Sequence, residues 1–137
     1  MKKLMFALAI IGAFAFTACE NQKSAQSEKL NIIFETDMGN DVDDALAMDM
    51  LYKYLDRDMI NLLAVCINKD GLAPVEFMDI MNTWYGYPDI PVGMIRNGAD
   101  CETDAINYAK AVVNLQNEDG TPKFARSHSN YDQYPDA

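Results

Sequence analysis

The stretch LNIIFETDMGNDVDDALAMDMLYKYLDRDMINLLAVCIN, residues 30–68, decides how this chain folds. It opens with an apolar, β-branched run, LNIIFET (30–36), which predicts a strand. It closes with a second such run, INLLAVCIN (60–68). Between them, DDALAMDMLYKYLDRD (43–58) sets Ala47, Met50, Leu51, Tyr54 and Leu55 at helical spacing. The acids that lead this segment suit the positive end of a helix dipole. Strand, helix, strand is the unit from which parallel sheets are built.

The alternation continues downstream. PVEFMDIMNTWYGY (74–87) predicts a helix with Pro74 in its first turn and a stop near Gly86. DIPVGMIRNG (89–98) predicts a third short strand, and DAINYAKAVVNLQNEDG (104–120) a third helix halted by its last three residues. TPKFARSHSNYDQYPDA (121–137) reads as loop, with Pro135 and Asp136 opening a further helix. The β-α-β-α-β-α order predicts an α/β, Rossmann-like layered fold with a mostly parallel sheet. Ligands of such sheets bind beyond the carboxyl ends of the strands. Three strands make a thin sheet, so residues 30–137 read as an incomplete α/β domain, the first part of a larger one.

Residues 1–18, MKKLMFALAIIGAFAFTA, have a different character. Lys2 and Lys3 precede an unbroken apolar run from Leu4 to Phe16, and Thr17 and Ala18 precede Cys19. That is a secretory signal whose apolar run is too short for a membrane span. FTAC followed by the polar stretch ENQKSAQSEK resembles a bacterial lipoprotein signal. The resemblance implies cleavage before Cys19, lipid on Cys19, and residues 19–29 as a polar tether. The expected location is the bacterial cell envelope, as a lipid-anchored protein.

The 137 residues carry a formal charge of −10, and loss of Lys2 and Lys3 makes the remainder more negative still. Such a chain repels nucleic-acid phosphate, and no basic patch argues otherwise. Cations and small neutral solutes are the ligands it suits. Cys66 lies in an apolar run and reads as a core thiol; sequence leaves open whether it pairs with Cys101.

Five acids, Glu35, Asp37, Asp41, Asp43 and Asp44, fall between residues 35 and 44 at the predicted mouth of the sheet. Crowded carboxylates repel one another unless a cation or hydrogen-bond donors compensate them. Ca²⁺ takes six to eight oxygen ligands in irregular geometry, which suits such a loop. Gly39 permits a sharp turn between Asp37, leaving the strand, and Asp44, entering the helix. The bland alternative is a solvated loop in which Asp41 or Asp43 caps the helix. An EF-hand does not fit, because Val42 stands where its glycine belongs.

ETDMGNDVDDALAMDML (35–51) resembles the N-terminal signature of the inosine–uridine-preferring nucleoside hydrolase family: an Asp-x-Asp, a glycine, then an Asp-Asp-Ala opening a helix. NLLAVCIN and YPDIPVG resemble its second and third strands. The resemblance implies calcium-dependent hydrolysis of the N-glycosidic bond of ribonucleosides. It implies Asp37 as calcium ligand and as the base that activates water, and Asp44 as the second calcium carboxylate. Asp43 and Asn68 become contacts to the ribose. Glu35 stands where the family has its first Asp, and NDV lengthens the spacing, so Asp41 competes with Asp43 and Asp44. The opening of the helix at DDALA favours the latter pair. The family's further calcium Asp, and the His that protonates the leaving base in purine-handling members, have no counterpart here. A non-catalytic sugar- or cation-binding lipoprotein is the alternative reading. His128 reads as a surface loop residue, WYGY (84–87) as core packing and helix stop, and Met48, Met50, Met78 and Met81 as core fillers.

Overall fold

The computed structural model describes residues 28–69, 71–96 and 107–137. Cys19, Cys101, the signal segment and the tether as far as Ser27 lie outside them. Three strands, β1 (Leu30–Thr36), β2 (Ile60–Ile67) and β3 (Val92–Met94), form a parallel sheet in the order β1-β2-β3. Helix α1 (Asp43–Asp56) connects β1 to β2, and α2 (Leu72–Tyr85) connects β2 to β3. A short α3 (Tyr108–Val113) and a 3₁₀ turn (Tyr131–Gln133) follow. The chain is thus a mixed α/β protein with a small parallel sheet.

The pairing of β1 with β2 contains one irregularity. Ile32 pairs with Leu62 but Ile33 pairs with Ala64, so Leu63 is an extra residue in β2. The bulge reverses the phase of the strand. Ile60 and Leu62 before it and Val65 and Ile67 after it are all buried, whereas unbroken alternation would bury Ala64 and Cys66. Cys66 is a free, half-buried thiol on the opposite face, not the core residue its apolar neighbours suggest. Both helices and the sheet share one core, in which Met48 and Tyr52 of α1 and Val75 and Met78 of α2 meet Leu62, Val65, Ile67, Val92 and Met94.

The α1 stripe differs from the expected one. Met48 and Tyr52 are buried, and Ala45, Leu51 and Leu55 pack beside them, while Met50 is 58% exposed. Two apolar stripes overlap on this helix at Leu51 and Leu55, and contact with the sheet selects between them. The Tyr52 ring stacks on Tyr85 and Tyr87, and its hydroxyl donates to Asn82 Oδ1 at 2.7 Å. Trp84, expected in the core, is 74% exposed. Gly86 ends α2 in the left-handed conformation (φ 85°), and the next N–H, on Tyr87, bonds the Asn82 carbonyl at 2.8 Å.

The third helix ends earlier than expected, and residues 104–106 of its expected start lie outside the described residues. It starts on Asn107, whose Oδ1 accepts from the Lys110 N–H at 2.8 Å, and it ends at Val113. Asn117 then turns the chain, its N–H bonding the Thr121 carbonyl and its amide the Thr121 hydroxyl. Such local side-chain bonds compete with helix continuation. Residues 135–137 are extended rather than helical: the Met94 N–H donates to the Pro135 carbonyl and the Ala137 N–H to the Met94 carbonyl, both at 3.0 Å, on the edge of β3 away from β2.

This C-terminal segment is tied to α2 by one buried carboxylate. Asp79 is 1% exposed. It accepts from the N–H groups of Ser127 (3.0 Å) and His128 (2.8 Å), from the Ser127 hydroxyl, and from the Tyr134 hydroxyl (3.0 Å). Arg126 pairs with Glu76 nearby. Burial acts to raise the Asp79 pKa, but the donors outweigh it and hold the carboxyl below the usual aspartate range. The native protein therefore binds fewer protons there than the unfolded chain. The contribution is complete above the ordinary aspartate pKa and is lost as pH falls through the lowered native value. Asp79→Asn cannot accept at both former oxygens. It should cost on the order of 2–3 kcal/mol in urea unfolding at neutral pH, and the deficit should shrink towards strongly acid pH.

Candidate functional site

The acidic loop joins the carboxyl end of β1 to α1, where the crossover connection places it at the mouth of the sheet. Thr36, the last residue of β1, is 3% exposed. Its Oγ1 accepts from the Met38 N–H at 3.1 Å, and its hydroxyl faces the Asp44 carboxyl closely enough to lower that group's pKa. One hydroxyl thus links the end of the strand, the loop and the first turn of the helix. Met38 is fully buried and anchors the loop in the core, leaving its neighbour Asp37 exposed. Gly39 has φ +142°, a conformation L side chains rarely adopt, although a Cβ there would meet Asn107 and Ala109 only at ordinary van der Waals distance.

The turn brings carboxylates together. One oxygen each from Asp41, Asp43 and Asp44 lies within 4.8 Å of the others. Asp37 lies outside that closest group, near enough for its charge to act on Asp44. The Asp44 pKa is raised, first by burial and then by the neighbouring Asp37 carboxyl and the charge of Asp43; the Thr36 hydroxyl opposes the rise. Neither Asp41 nor Asp43 caps α1. Val42 occupies that position and makes no side-chain cap bond, so the carboxylates of the loop are not consumed in capping.

Two further groups reach the loop. Tyr108 of α3 donates to Met38 Sδ at 3.0 Å. Burial, and then the charges of Asp44, Asp41 and Asp43, push its phenol up to about 12. Lys69, 5% exposed and just past β2, donates to Asn40 Oδ1 at 3.2 Å. Asn68 sits beside it, its Nδ2 donating to Glu35 Oε1 at 3.3 Å and its N–H to the Thr36 carbonyl at 3.0 Å. Glu35 and Asn68 meet because the Leu63 bulge puts both on the sheet face opposite the core.

Of the residues singled out in the sequence, Asp43 and Asp44 are brought together with Asp41, and Asp37 stands beside this group. Asn68 is held by Glu35. Thr36, Lys69 and Tyr108 escaped sequence reasoning; Tyr108 comes from 70 residues downstream of Met38, and nothing local to its helix points to the loop. Compared with known protein families, curated proteins and solved structures, the chain matches none.

Gly39→Ala should destabilise the protein by about 1–3 kcal/mol, measured by urea unfolding, because of its backbone conformation. Tyr108→Phe removes the hydroxyl that bonds Met38 Sδ, and should cost about 1 kcal/mol by the same measurement.

Proposed function

We propose that this chain carries the cation- and sugar-binding part of a calcium-dependent nucleoside hydrolase with a Rossmann-like fold, held at the bacterial envelope by lipid on Cys19. The observation that carries the reading is the convergence of Asp41, Asp43 and Asp44, one oxygen each within 4.8 Å, with the charge of Asp37 close enough to help raise the Asp44 pKa. Together these carboxylates form an all-oxygen donor set that suits a hard cation. Asp37 and Asp44 would hold Ca²⁺. When bound, that ion supplies positive field to water and to ribose hydroxyls.

In this reading Asp37 takes the proton of the attacking water. Asp43 accepts from the ribose hydroxyls, and Asn68 contacts the sugar from the end of β2. The glycosidic electron pair leaves with the base, positive charge builds on the ribose ring, and the carboxylates facing the ring stabilise it. A second reading, non-catalytic cation or sugar binding, is favoured by one detail. The three carboxylates that converge most closely are Asp41, Asp43 and Asp44, a set without the proposed base.

Calcium at about 100 times its Kd should stabilise the protein by about 2.7 kcal/mol in thermal unfolding, and Asp44→Asn should abolish that shift. The chain on its own is expected to be inactive, so ribose release from inosine and uridine by the complete gene product separates the readings. Release that disappears in a folded Asp37→Asn protein supports hydrolysis. Calcium stabilisation without release supports binding alone, and no calcium effect overturns both.

A further inference from the structure

The sheet has two edges, and the chain treats them differently. Residues 135–137 run along β3, where Met94 exchanges main-chain bonds with Pro135 and Ala137. Among the described residues β1 pairs only with β2, which leaves its outer edge open. LNIIFET carries no proline or lysine to guard that edge, and the bulge lies in β2. The apolar surface beside it is unfinished as well. Leu30 is 69% and Ile33 63% exposed, and Ile32 and Phe34 are only half-buried against the core.

The direction of the open groups follows from the ladder. The Val65 N–H donates to the Pro91 carbonyl and the Ile95 N–H to the Ile67 carbonyl, so Val65 and Ile67 turn their main-chain groups to β3. Their partners across the sheet, Phe34 and Thr36, therefore turn theirs to β2, and Thr36 accepts there from the Asn68 N–H at 3.0 Å. Successive residues of a strand alternate, which points the N–H and C=O of Asn31, Ile33 and Glu35 outward.

These outward residues form a self-complementary set. Two copies of β1, antiparallel about a two-fold axis at Ile33, set Ile33 against itself and Asn31 against the partner's Glu35. Each is a pair that exchanges both of its main-chain hydrogen bonds. The Asn31 Oδ1 already accepts from Asn61 Nδ2 at 2.8 Å, so its NH₂ is the donor presented to the partner's Glu35. On the core face, Ile32 meets the partner's Phe34, a β-branched and aromatic pairing that stabilises sheets. Just past the strand ends, Lys29, which pairs with Asp58 in its own protomer, comes opposite the partner's Asp37. Charge therefore also selects the antiparallel arrangement, because a parallel one would set the two acidic loops side by side.

We propose that the chain forms a two-fold homodimer through its β1 edges, in this register, with a single sheet running through both copies. The seam does not depend on what the acidic loop binds.

The test is the mass of the whole chain in solution, by sedimentation equilibrium in density-matched non-ionic detergent that shields the apolar residues 4–16. Dimer should build up with protein concentration. Ile33→Lys sets two like charges against each other at the seam, and should raise the dissociation constant about tenfold or more. Ile33 is exposed and its main-chain groups face outward, so the far-UV spectrum of this variant should be unchanged. The register is read with Cys19, Cys66 and Cys101 replaced by serine. Ile33→Cys should then give a disulfide-linked dimer on mild oxidation, because paired Cα atoms lie about 5.5 Å apart, and Leu30→Cys should not. Monomer at every concentration overturns the proposal. So does a dimer that Ile33→Lys leaves intact, or a dimeric sample that Ile33→Cys fails to cross-link.

Discussion

One extra residue, Leu63, sets the arrangement of everything around the sheet. Without the bulge, β2 would present Ala64 and Cys66 to the helices and turn Val65 and Ile67 outward. With it, the larger pair enters the core opposite Phe34 and Thr36, and the small residues face the other way. The same reversal puts Asn68 on the face of Glu35. A slip of one residue exchanges the faces of a strand, so the bulge acts as a phase correction that keeps the two ends of β2 in one core.

The acidic loop inherits its geometry from that core. Met38 is buried with Met48 and Ile67, and Thr36 stands at the end of a strand whose register the bulge maintains. Because these anchors are fixed, the loop between them has little freedom. Gly39 supplies the one conformation that lets it close, and Tyr108 braces it from α3. Charge repulsion is then imposed by the fold and not relaxed by it. The raised pKa of Asp44 is its measure: burial and neighbouring carboxyls disfavour the ion, and one threonine hydroxyl compensates in part.

Asp79 plays the corresponding role at the other edge. A single carboxylate inside α2 collects donors from three residues of the C-terminal segment, and the segment then extends β3 through Met94. Hydrogen bonds to an ionised acceptor are stronger than neutral ones, which is why one side chain can dock a stretch with few apolar contacts of its own. Asp79 carries no local sign of this in the sequence. It sits in an apolar helix where an acid would ordinarily be placed toward water.

The sequence by itself determined the elements that depend on local periodicity and turn chemistry. β1, α1, β2 and α2 were legible almost to their ends because apolar period, leading acids, Pro74 and Gly86 all act within a few residues. The crowding of acids at the mouth of β1 was legible for the same reason, since ten residues hold five carboxylates. Tertiary structure decided what depends on contact between distant segments. It chose the buried stripe of α1, left Trp84 outside, shortened β3 and α3, and turned the tail along β3. It brought Tyr108 to Met38 and His128 to Asp79 across 70 and 49 residues. Side-chain pairing over such separations leaves no periodic trace, because each partner satisfies its own local pattern equally well without the other. Only the closed core, by fixing which faces meet, makes them neighbours.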